Sequence, residues 1–300
     1  MIIARGLGYL VAVASLTLTL TLTLTLRDTL AQSAEPYTPT VGQDGKDVIW
    51  VPTPQELVDR MLGMAQVGPK DYLVDLGSGD GRTVITAAKL GAKAHGIEYN
   101  EKMVELSRRN AEKEGVAEKA TFEKADIFQS DFSQATVITL FLLEDLNLRL
   151  RPTLLALKPG TRIVSNTFDM SKWKYDAVVE LGSGCTQFCK AYLWIIPAQV
   201  AGSWQLVHDS ETGNERPLTL VLNQSFQVIS GIAKPAKGRP ANLTSTRVRA
   251  DEIGFNIGAA TYQGKLAGES MTGSYRLGGR VGMWTATRVN PARSPAGKRP

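Results

Sequence analysis

Two hydrophobic patterns divide the chain. Over residues 53–197, short apolar runs alternate with segments whose apolar residues recur at helical spacing. Beyond Gly202 the helical spacing disappears and apolar residues alternate with polar ones, as at Leu218, Leu220 and Leu222. The first pattern predicts a doubly wound α/β sheet, and the second predicts a small all-β domain, either a barrel or a sandwich.

Seven strands are expected in the α/β region, at residues 72–76, 92–97, 120–124, 135–140, 161–168, 176–181 and 191–197. Helices separate the first five strands, whereas the last two form a hairpin. The first helix is expected to begin at Thr53, whose hydroxyl would form a capping box with Glu56. The helix at 144–157 is expected to break at Pro152.

A glycine-rich turn follows the first strand. From Asp75 the chain reads D-L-G-S-G-D-G-R, which places Gly77, Gly79 and Gly81 between a strand and a helix. Such glycines bring a ligand against backbone N–H groups at the positive end of a helix. A dinucleotide fingerprint would need a third glycine where this chain has Arg82, so the spacing instead resembles the S-adenosylmethionine loop of class I methyltransferases.

Two further acidic residues follow the next strands. Glu98 ends the second strand, where a carboxylate accepts hydrogen bonds from both hydroxyls of a ribose. Asp126 follows the third strand and is expected to accept from the adenine amine, with Ile127 and Phe128 beside the ring. The alternative is an ordinary strand-to-helix turn with a solvated Glu98. The predicted cofactor-binding residues are Asp75, Gly77, Ser78, Gly79, Asp80, Gly81, Glu98 and Asp126.

A closer resemblance covers residues 48–198. The motifs are W-V-P-T-P-Q-E-L-V, D-L-G-S-G-D-G-R, G-I-E-Y-N, A-T-V-I-T-L-F-L-L and L-K-P-G-T-R-I-V-S-N-T-F. They resemble bacterial relatives of the mitochondrial protein-lysine methyltransferases that modify the nucleotide translocase and an ATP synthase subunit. The resemblance implies a seven-stranded Rossmann-like fold, S-adenosylmethionine as cofactor and methylation of a protein lysine. It also implies that the first helix helps close the cofactor site, so that Trp50 either approaches the ligand or packs on the sheet.

The acceptor amine must reach the methyl group neutral and shielded from water. Thr139 and Phe141, next to the end of the fourth strand, are the predicted walls of its slot, with Glu144 beside them. Glu144 has an alternative interpretation as a residue that simply begins a helix. No catalytic acid or base is assigned.

The acceptor is expected to be a protein or a small molecule. The segment T-L-F-L-L-E lacks the Asn-Pro-Pro-aromatic set that holds a flipped base, and no Pro-Cys nucleophile is present, so nucleic acid is not expected. Two alternatives remain open. One is a small-molecule or lipid methyltransferase whose β domain captures the substrate, and the other is a non-catalytic binding protein that keeps the fold.

The first 34 residues have the pattern of a secretory leader. Arg5 precedes an uncharged stretch at 6–26, and small residues precede Ala34. We expect a cleaved signal peptide and export to the periplasm or cell envelope, with an uncleaved membrane anchor or a strand as alternatives. Export conflicts with the cytosolic synthesis of S-adenosylmethionine.

The predicted domains are a leader (1–34), a methyltransferase domain (35–200), a β domain (201–290) and a disordered basic tail (291–300). A composition of 43% hydrophobic and 21% charged residues excludes disorder for most of the chain.

Two pairs of residues, one of cysteines and one of a tryptophan with an arginine, allow further predictions. Cys185 and Cys189 are either a local disulfide or two unrelated thiols, and the ligands nearby are too few for zinc, so no metal site is expected. Trp204 and Arg288 resemble the pair of calycin barrels in which an arginine lies over a tryptophan.

Overall fold

Two sheets make up most of the part of the chain that the structure describes. The structure is a computed structural model, and it describes residues 37–182, 185–209 and 217–289. The helices are α1 (Gln55–Met64), α2 (Arg82–Lys89), α3 (Glu101–Lys113) and α4 (Glu144–Leu155). The strands of the first sheet are β1 (Tyr72–Leu76), β2 (Lys93–Glu98), β3 (Ala120–Lys124), β4 (Val137–Leu140), β5 (Arg162–Asn166), β6 (Ala177–Glu180) and β7 (Lys190–Ile195). Those of the second are β8 (Gly202–His208), β9 (Leu218–Ser225), β10 (Val228–Pro235), β11 (Ala241–Arg249), β12 (Glu252–Ile257), β13 (Ala260–Ala267), β14 (Ser270–Leu277) and β15 (Arg280–Arg288).

The first sheet has the order β3-β2-β1-β4-β5-β7-β6. Strands β1 to β5 run parallel, and β7 pairs antiparallel with both β5 and β6. The Rossmann-like methyltransferase sheet expected from the sequence is therefore confirmed. Because the strand order reverses between β1 and β4, a crevice opens at their carboxyl ends, and the glycine turn leaves β1 there.

Apolar side chains cover both faces of this sheet. All four residues of β4 are buried, as expected for a strand covered on both sides. One face packs against α1 through Leu57 and Leu62, and the other packs against α4 through Leu150 and Leu154. Each such buried leucine contributes about 2 kcal/mol. These contacts fix the strand ends that carry the site.

Two local expectations were wrong for tertiary reasons. Pro152 does not break α4, because Leu150 and Leu154 pack against the sheet on either side of it. Thr53 does not cap α1, which begins after Pro54 without a side-chain cap. The Thr53 hydroxyl instead accepts a hydrogen bond of 3.1 Å from Asn166 Nδ2 at the end of β5.

Strands β8 to β15 form a closed antiparallel barrel, which decides between the barrel and the sandwich. Each strand pairs with its neighbours in sequence, and β15 pairs with β8. Gly273 lies opposite Gly264, and a Cβ atom on Gly273 would lie 1.9 Å from the carbonyl oxygen of Gln263. Only glycine therefore allows the strands to approach so closely at this point.

Aromatic side chains pack together in the core of the barrel. Trp204, Phe255, Tyr262 and Trp284 are buried, and the rings of Phe255 and Tyr262 stack with centroids 5.0 Å apart. His208 Nε2 lies 2.8 Å from the Tyr262 hydroxyl, which gives this buried polar group a partner.

Arg288 closes one end of the barrel. Its guanidinium lies 4.2 Å from the ring centroid of Trp204, as the resemblance to calycin barrels implied. Nη1 and Nη2 donate to the carbonyl oxygens of Ala201 and Gln199, and Nε lies 2.7 Å from a carboxylate oxygen of Glu269. One side chain thus joins the last barrel strand to the segment that enters the barrel.

Contacts between the barrel and the first sheet are aromatic and backbone-mediated. Phe226, in the β9–β10 turn, stacks on Trp173 with centroids 5.7 Å apart. The N–H group of Ala198 donates to the carbonyl oxygen of Ala250 at 2.7 Å. Both sheets belong to one compact unit.

A disulfide joins Cys185 and Cys189, so the first of the two interpretations of this pair is correct. Among the described residues, no helix has the length and apolar character needed to cross a bilayer. The predicted leader at 1–34 and the predicted tail at 291–300 lie outside the described residues.

Replacing Arg288 with alanine is expected to lower the free energy of unfolding by about 2 kcal/mol, because one change removes a cation–π contact, an ion pair and two carbonyl hydrogen bonds. Urea unfolding followed by tryptophan fluorescence measures this loss. Arg276→Ala, an exposed arginine on β14, is the matched control and should cost about 0.5 kcal/mol or less. Equal losses in the two variants would contradict the role given to Arg288.

Candidate active site

A glycine turn bends the chain at the carboxyl end of β1. Gly77, Gly79 and Gly81 have φ values of 86°, 55° and 82°, in the left-handed region that side chains disfavour. The N–H groups of Gly77 and Ser78 donate to the carbonyl oxygen of Ile97, at 2.8 and 3.1 Å. The turn is therefore fastened to β2 by backbone hydrogen bonds.

A cavity of about 250 Å³ lies beside this turn. Of the predicted cofactor residues, it is lined by Asp75, Gly77, Ser78, Gly79, Asp80, Glu98 and Asp126. The structure gives Gly81 a packing role instead, because a Cβ atom there would lie 2.8 Å from side-chain atoms of Ser107 and Phe122. Gly81 allows α3 and β3 to approach the turn from behind.

Asp75 is a buried carboxyl group at the tip of β1. It is 6% exposed, and its Oδ1 accepts a hydrogen bond of 2.6 Å from the hydroxyl of Thr139 on β4. Burial raises the pKa of Asp75 to about 7, and the charges of Glu98 and Asp80 push the pKa in the same direction. A cation that enters the cavity would therefore favour the loss of this proton.

Glu98 lies at the tip of β2 and holds the turn. Its Oε2 accepts from the N–H group of Gly79 at 3.0 Å, and its Oε1 accepts from that of Asn100 at 2.9 Å. Burial raises the pKa of Glu98, while these backbone hydrogen bonds oppose the rise. Asp75 and Glu98 line the same cavity, so the two acidic strand ends converge.

Asp80 is paired within its own turn. Arg82 donates from Nε to Oδ1 at 3.0 Å and from Nη2 to Oδ2 at 2.5 Å. Arg82 Nη1 also donates to the carbonyl oxygen of Thr53 at 2.8 Å. The arginine that interrupts the dinucleotide fingerprint therefore binds the turn to the segment before α1, and the carboxylate of Asp80 is already engaged.

Asp126 is engaged by Lys46, which sequence reasoning did not select. The Lys46 ammonium lies 2.9 Å from Asp126 Oδ2 and 5.2 Å from the ring centroid of Tyr99. The hydrogen bond from Lys46 lowers the pKa of Asp126. Asp126 can accept from an adenine amine, as predicted, only if it shares or releases this ammonium.

Trp50 lies against the glycine turn. A Cβ atom on Gly79 would lie 2.7 Å from Trp50 Nε1, so only a glycine fits beneath the indole. Backbone pairing of Asp44 with Ile49, and of the Trp50 N–H with the Gln43 carbonyl, holds this segment as a short hairpin. Of the two interpretations of Trp50, the structure supports approach to the cofactor turn.

Three phenylalanines line the cavity next to the ends of β4, β5 and β7, and we name them the aromatic wall. The ring centroid of Phe141 lies 6.4 Å from that of Phe168 and 5.2 Å from that of Phe188. Thr139 does not line the slot as predicted, because it is fully buried and bound to Asp75. Glu144 does not line it either, since it is exposed in the first turn of α4, as its alternative interpretation held.

Sequence reasoning missed Lys46, Phe168 and Phe188. Their positions in the site depend on chain segments that meet only in the folded sheet. Phe168 ends the motif L-K-P-G-T-R-I-V-S-N-T-F, but that motif did not assign it to the cavity. Phe188 had one usable signal, because it precedes Cys189 and a disulfide would fix its place.

The site fits an adenosine that carries a positive charge. The glycine turn leaves room for a nucleoside beside it, and the carboxyl groups of Asp75 and Glu98, whose ionised forms are negative, line the same cavity. Ser78 Oγ is buried without a hydrogen-bond partner, which leaves one polar atom of the turn unsatisfied.

Comparison with known proteins gives the same picture. A family model described as the ANTKMT methyltransferase domain matches residues 75–177. The chain is 43% identical over 152 residues to a protein-lysine N-methyltransferase of Saccharolobus islandicus, a match that covers 50% of this chain and 94% of the relative. It is 36% identical over 130 residues to a Rattus norvegicus lysine N-methyltransferase named for an ATP synthase subunit, and this match covers 42% of this chain and 59% of that relative.

One solved structure has a comparable level of identity. It is an RNA methyltransferase from Salinibacter ruber in complex with S-adenosyl-L-homocysteine, 47% identical, with a TM-score of 0.47 and coverage of 50% of this chain and 96% of that one. The family-model match ends before the barrel begins at Gly202. The glycine turn, the two acidic strand ends and the relative matched over nearly its whole length agree. This chain belongs to the class I S-adenosylmethionine-dependent methyltransferases, in the family that includes the Saccharolobus islandicus protein-lysine N-methyltransferase.

Proposed function

We propose that this chain transfers a methyl group from S-adenosylmethionine to the side-chain amine of a lysine in a protein. The observation that carries the proposal is a single cavity lined by two acidic strand ends, the buried Asp75 and the half-buried Glu98, and by the aromatic wall. The relative matched over 94% of its length is a protein-lysine N-methyltransferase, which supports lysine as the acceptor.

At the cofactor end, the chain supplies charge and acceptors. S-adenosylmethionine, when bound, provides an electrophilic methyl carbon on a positively charged sulfur. Asp75 and Glu98 would supply negative charge, and Glu98 would accept from ribose hydroxyls. Asp126 would accept from the adenine amine, with Lys46 sharing or leaving that carboxylate. Trp50 and the hairpin around it would shield this end from water.

At the acceptor end, the chain supplies an apolar surface. A lysine amine with a pKa of about 10.4 must lose its proton, which costs roughly 1.4 kcal/mol for each pH unit below that value. Phe141, Phe168 and Phe188 lower this cost because they replace water around the ammonium with aromatic carbon. They would also hold the amine in line with the bond that breaks.

Cofactor affinity is expected to depend on the ionisation of Asp75. Below its pKa of about 7 the carboxyl is neutral, so binding a cation must first expel a proton, whereas above that pKa no such cost applies. The affinity for S-adenosylmethionine should therefore rise between about pH 6 and pH 8. Asp75→Asn should remove this rise and weaken binding about 10-fold or more at the upper pH. Calorimetric titration in buffers of different ionisation enthalpy measures both the affinity and the proton release. Equal pH dependence in the wild type and in Asp75→Asn would contradict the assignment.

Methyl transfer to lysine is tested with radiolabelled S-adenosylmethionine and the protein, RNA and small-molecule fractions of the source cells. The expected result is label in protein, recovered as methyllysine by mass spectrometry. Glu98→Ala should reduce the labelling about 100-fold, because it removes the predicted ribose acceptor. Label confined to RNA or to small molecules would overturn the lysine proposal. The same experiment tests the prediction that the enzyme does not methylate nucleic acid.

We also infer that the enzyme works outside the cytoplasm. The charge pattern of residues 1–34 supports export, and so does the disulfide between Cys185 and Cys189, since such bonds persist in oxidising compartments. Mass spectrometry of the mature protein should find a new N-terminus near residue 34. An intact Met1 in the membrane fraction would favour the anchor instead, and an intact Met1 in the cytosol would contradict export.

A further inference from the structure

We propose that the loop closed by Cys185 and Cys189 is part of the methyl-acceptor site, and that its disulfide positions Phe188 in the aromatic wall. The proposal deepens the proposed function, on which it rests for the identity of the acceptor. Under this proposal, acceptor binding depends on whether the disulfide is oxidised or reduced, and cofactor binding does not.

The loop is the connection between β6 and β7. The N–H group of Leu181 donates to the carbonyl oxygen of Cys189 at 2.8 Å, which continues the hairpin up to the crosslink. The two cysteines, 5.8 Å apart at their Cα atoms, are four positions apart in the chain. Phe188 directly precedes Cys189, so its backbone lies inside the small ring that the disulfide closes.

The backbone of Phe188 is unusual. Its φ is 56°, in the left-handed region that phenylalanine rarely adopts. Its half-buried ring meets Phe141 edge to face, with the ring planes at 65°. A disfavoured conformation persists only where the surroundings impose it, and such positions cluster at binding sites. Here the crosslink is the constraint, and the cavity is the site.

The other two phenylalanines are held by the sheet and by α4. Phe141 directly follows β4, and Asn147 on α4 donates from Nδ2 to the carbonyl oxygen of Phe168 at 3.1 Å. Ser165 Oγ donates to the same carbonyl oxygen at 2.7 Å. Hydrogen bonds from Asn147 and Ser165 thus fix Phe168. Phe188 instead lies in the loop between two strands, and its position depends on the disulfide.

The chemistry of the wall suits an amine that becomes methylated. Aromatic carbon desolvates a lysine ammonium and so favours its neutral form. The same ring faces attract a methylammonium product. A dithiol that reduces the disulfide is itself oxidised to a disulfide, and its two electrons and two protons convert Cys185 and Cys189 to thiols. Phe188 then no longer lies in a closed backbone ring, while the glycine turn and both acidic strand ends are covalently unchanged.

Redox titration of the enzyme tests this dependence, with poly-L-lysine as the acceptor probe. The chain has only two cysteines, so dithiothreitol has no other target. The KM for poly-L-lysine should rise about 10-fold on reduction, in Cys185→Ser/Cys189→Ser and in Phe188→Ala. The Kd for S-adenosylmethionine should change less than about two-fold.

Phe226→Ala is the matched control, because Phe226 also has a left-handed backbone, with a φ of 55°, and stacks on Trp173 outside the cavity. It should leave the KM for poly-L-lysine unchanged. The same KM in the oxidised and reduced wild type would overturn the proposal, as would a matching rise in the Phe226 variant.

A second measurement needs no acceptor. With 4-fluorophenylalanine at position 188, the fluorine resonance should shift when dithiothreitol is added and again when S-adenosylhomocysteine enters the cavity. If the chemical shift does not change when dithiothreitol is added, the proposal is overturned, whether or not poly-L-lysine is methylated. If the resonance responds but the wild type methylates no lysine, the lysine proposal fails and the role of the disulfide in shaping the cavity stands.

Discussion

The site depends on one buried hydrogen bond, from the hydroxyl of Thr139 to the carboxyl group of Asp75. It joins β1 to β4 at the point where the strand order reverses and the crevice opens. Taking the carboxyl group out of water favours its neutral form, and neighbouring carboxyl groups add to that effect. The hydrogen bond from Thr139 opposes this rise in pKa, and the pKa of Asp75 lies at about 7, so a positive charge bound in the cavity would favour the loss of its proton.

The two ends of the cavity are built by different physical means. At the cofactor end, charges are already paired, since Lys46 holds Asp126 and Arg82 holds Asp80. Both pairs give an acidic group a partner, and the pair of Lys46 with Asp126 also joins the hairpin before α1 to the segment after β3. At the acceptor end the surface is aromatic and carries no such pairing among the described residues. Methyl transfer needs this asymmetry, because the cofactor brings positive charge while the amine must arrive without it.

The elements with strong local signals were predicted well. Strands β1 and β3 lie where the sequence placed them, and the side chain of Asn100 caps α3. These segments are apolar runs or capped helices whose own pattern agrees with the fold. The failures at Thr53 and Pro152 share one cause. At each position a contact with a distant part of the chain outweighed the local preference, which a single sequence does not contain.

The sequence alone determined the fold class, the glycine turn and the acidic strand ends, because these are set by hydrophobic period and by residues a few positions apart. It also placed Arg288 over Trp204 by resemblance. Only the tertiary structure decided that Lys46 engages Asp126 and that Phe188 completes the aromatic wall. Those contacts join segments that are remote in the chain. Their geometry depends on the order of the strands in the sheet and on the position of the disulfide, and neither can be read from the hydrophobic period of the sequence.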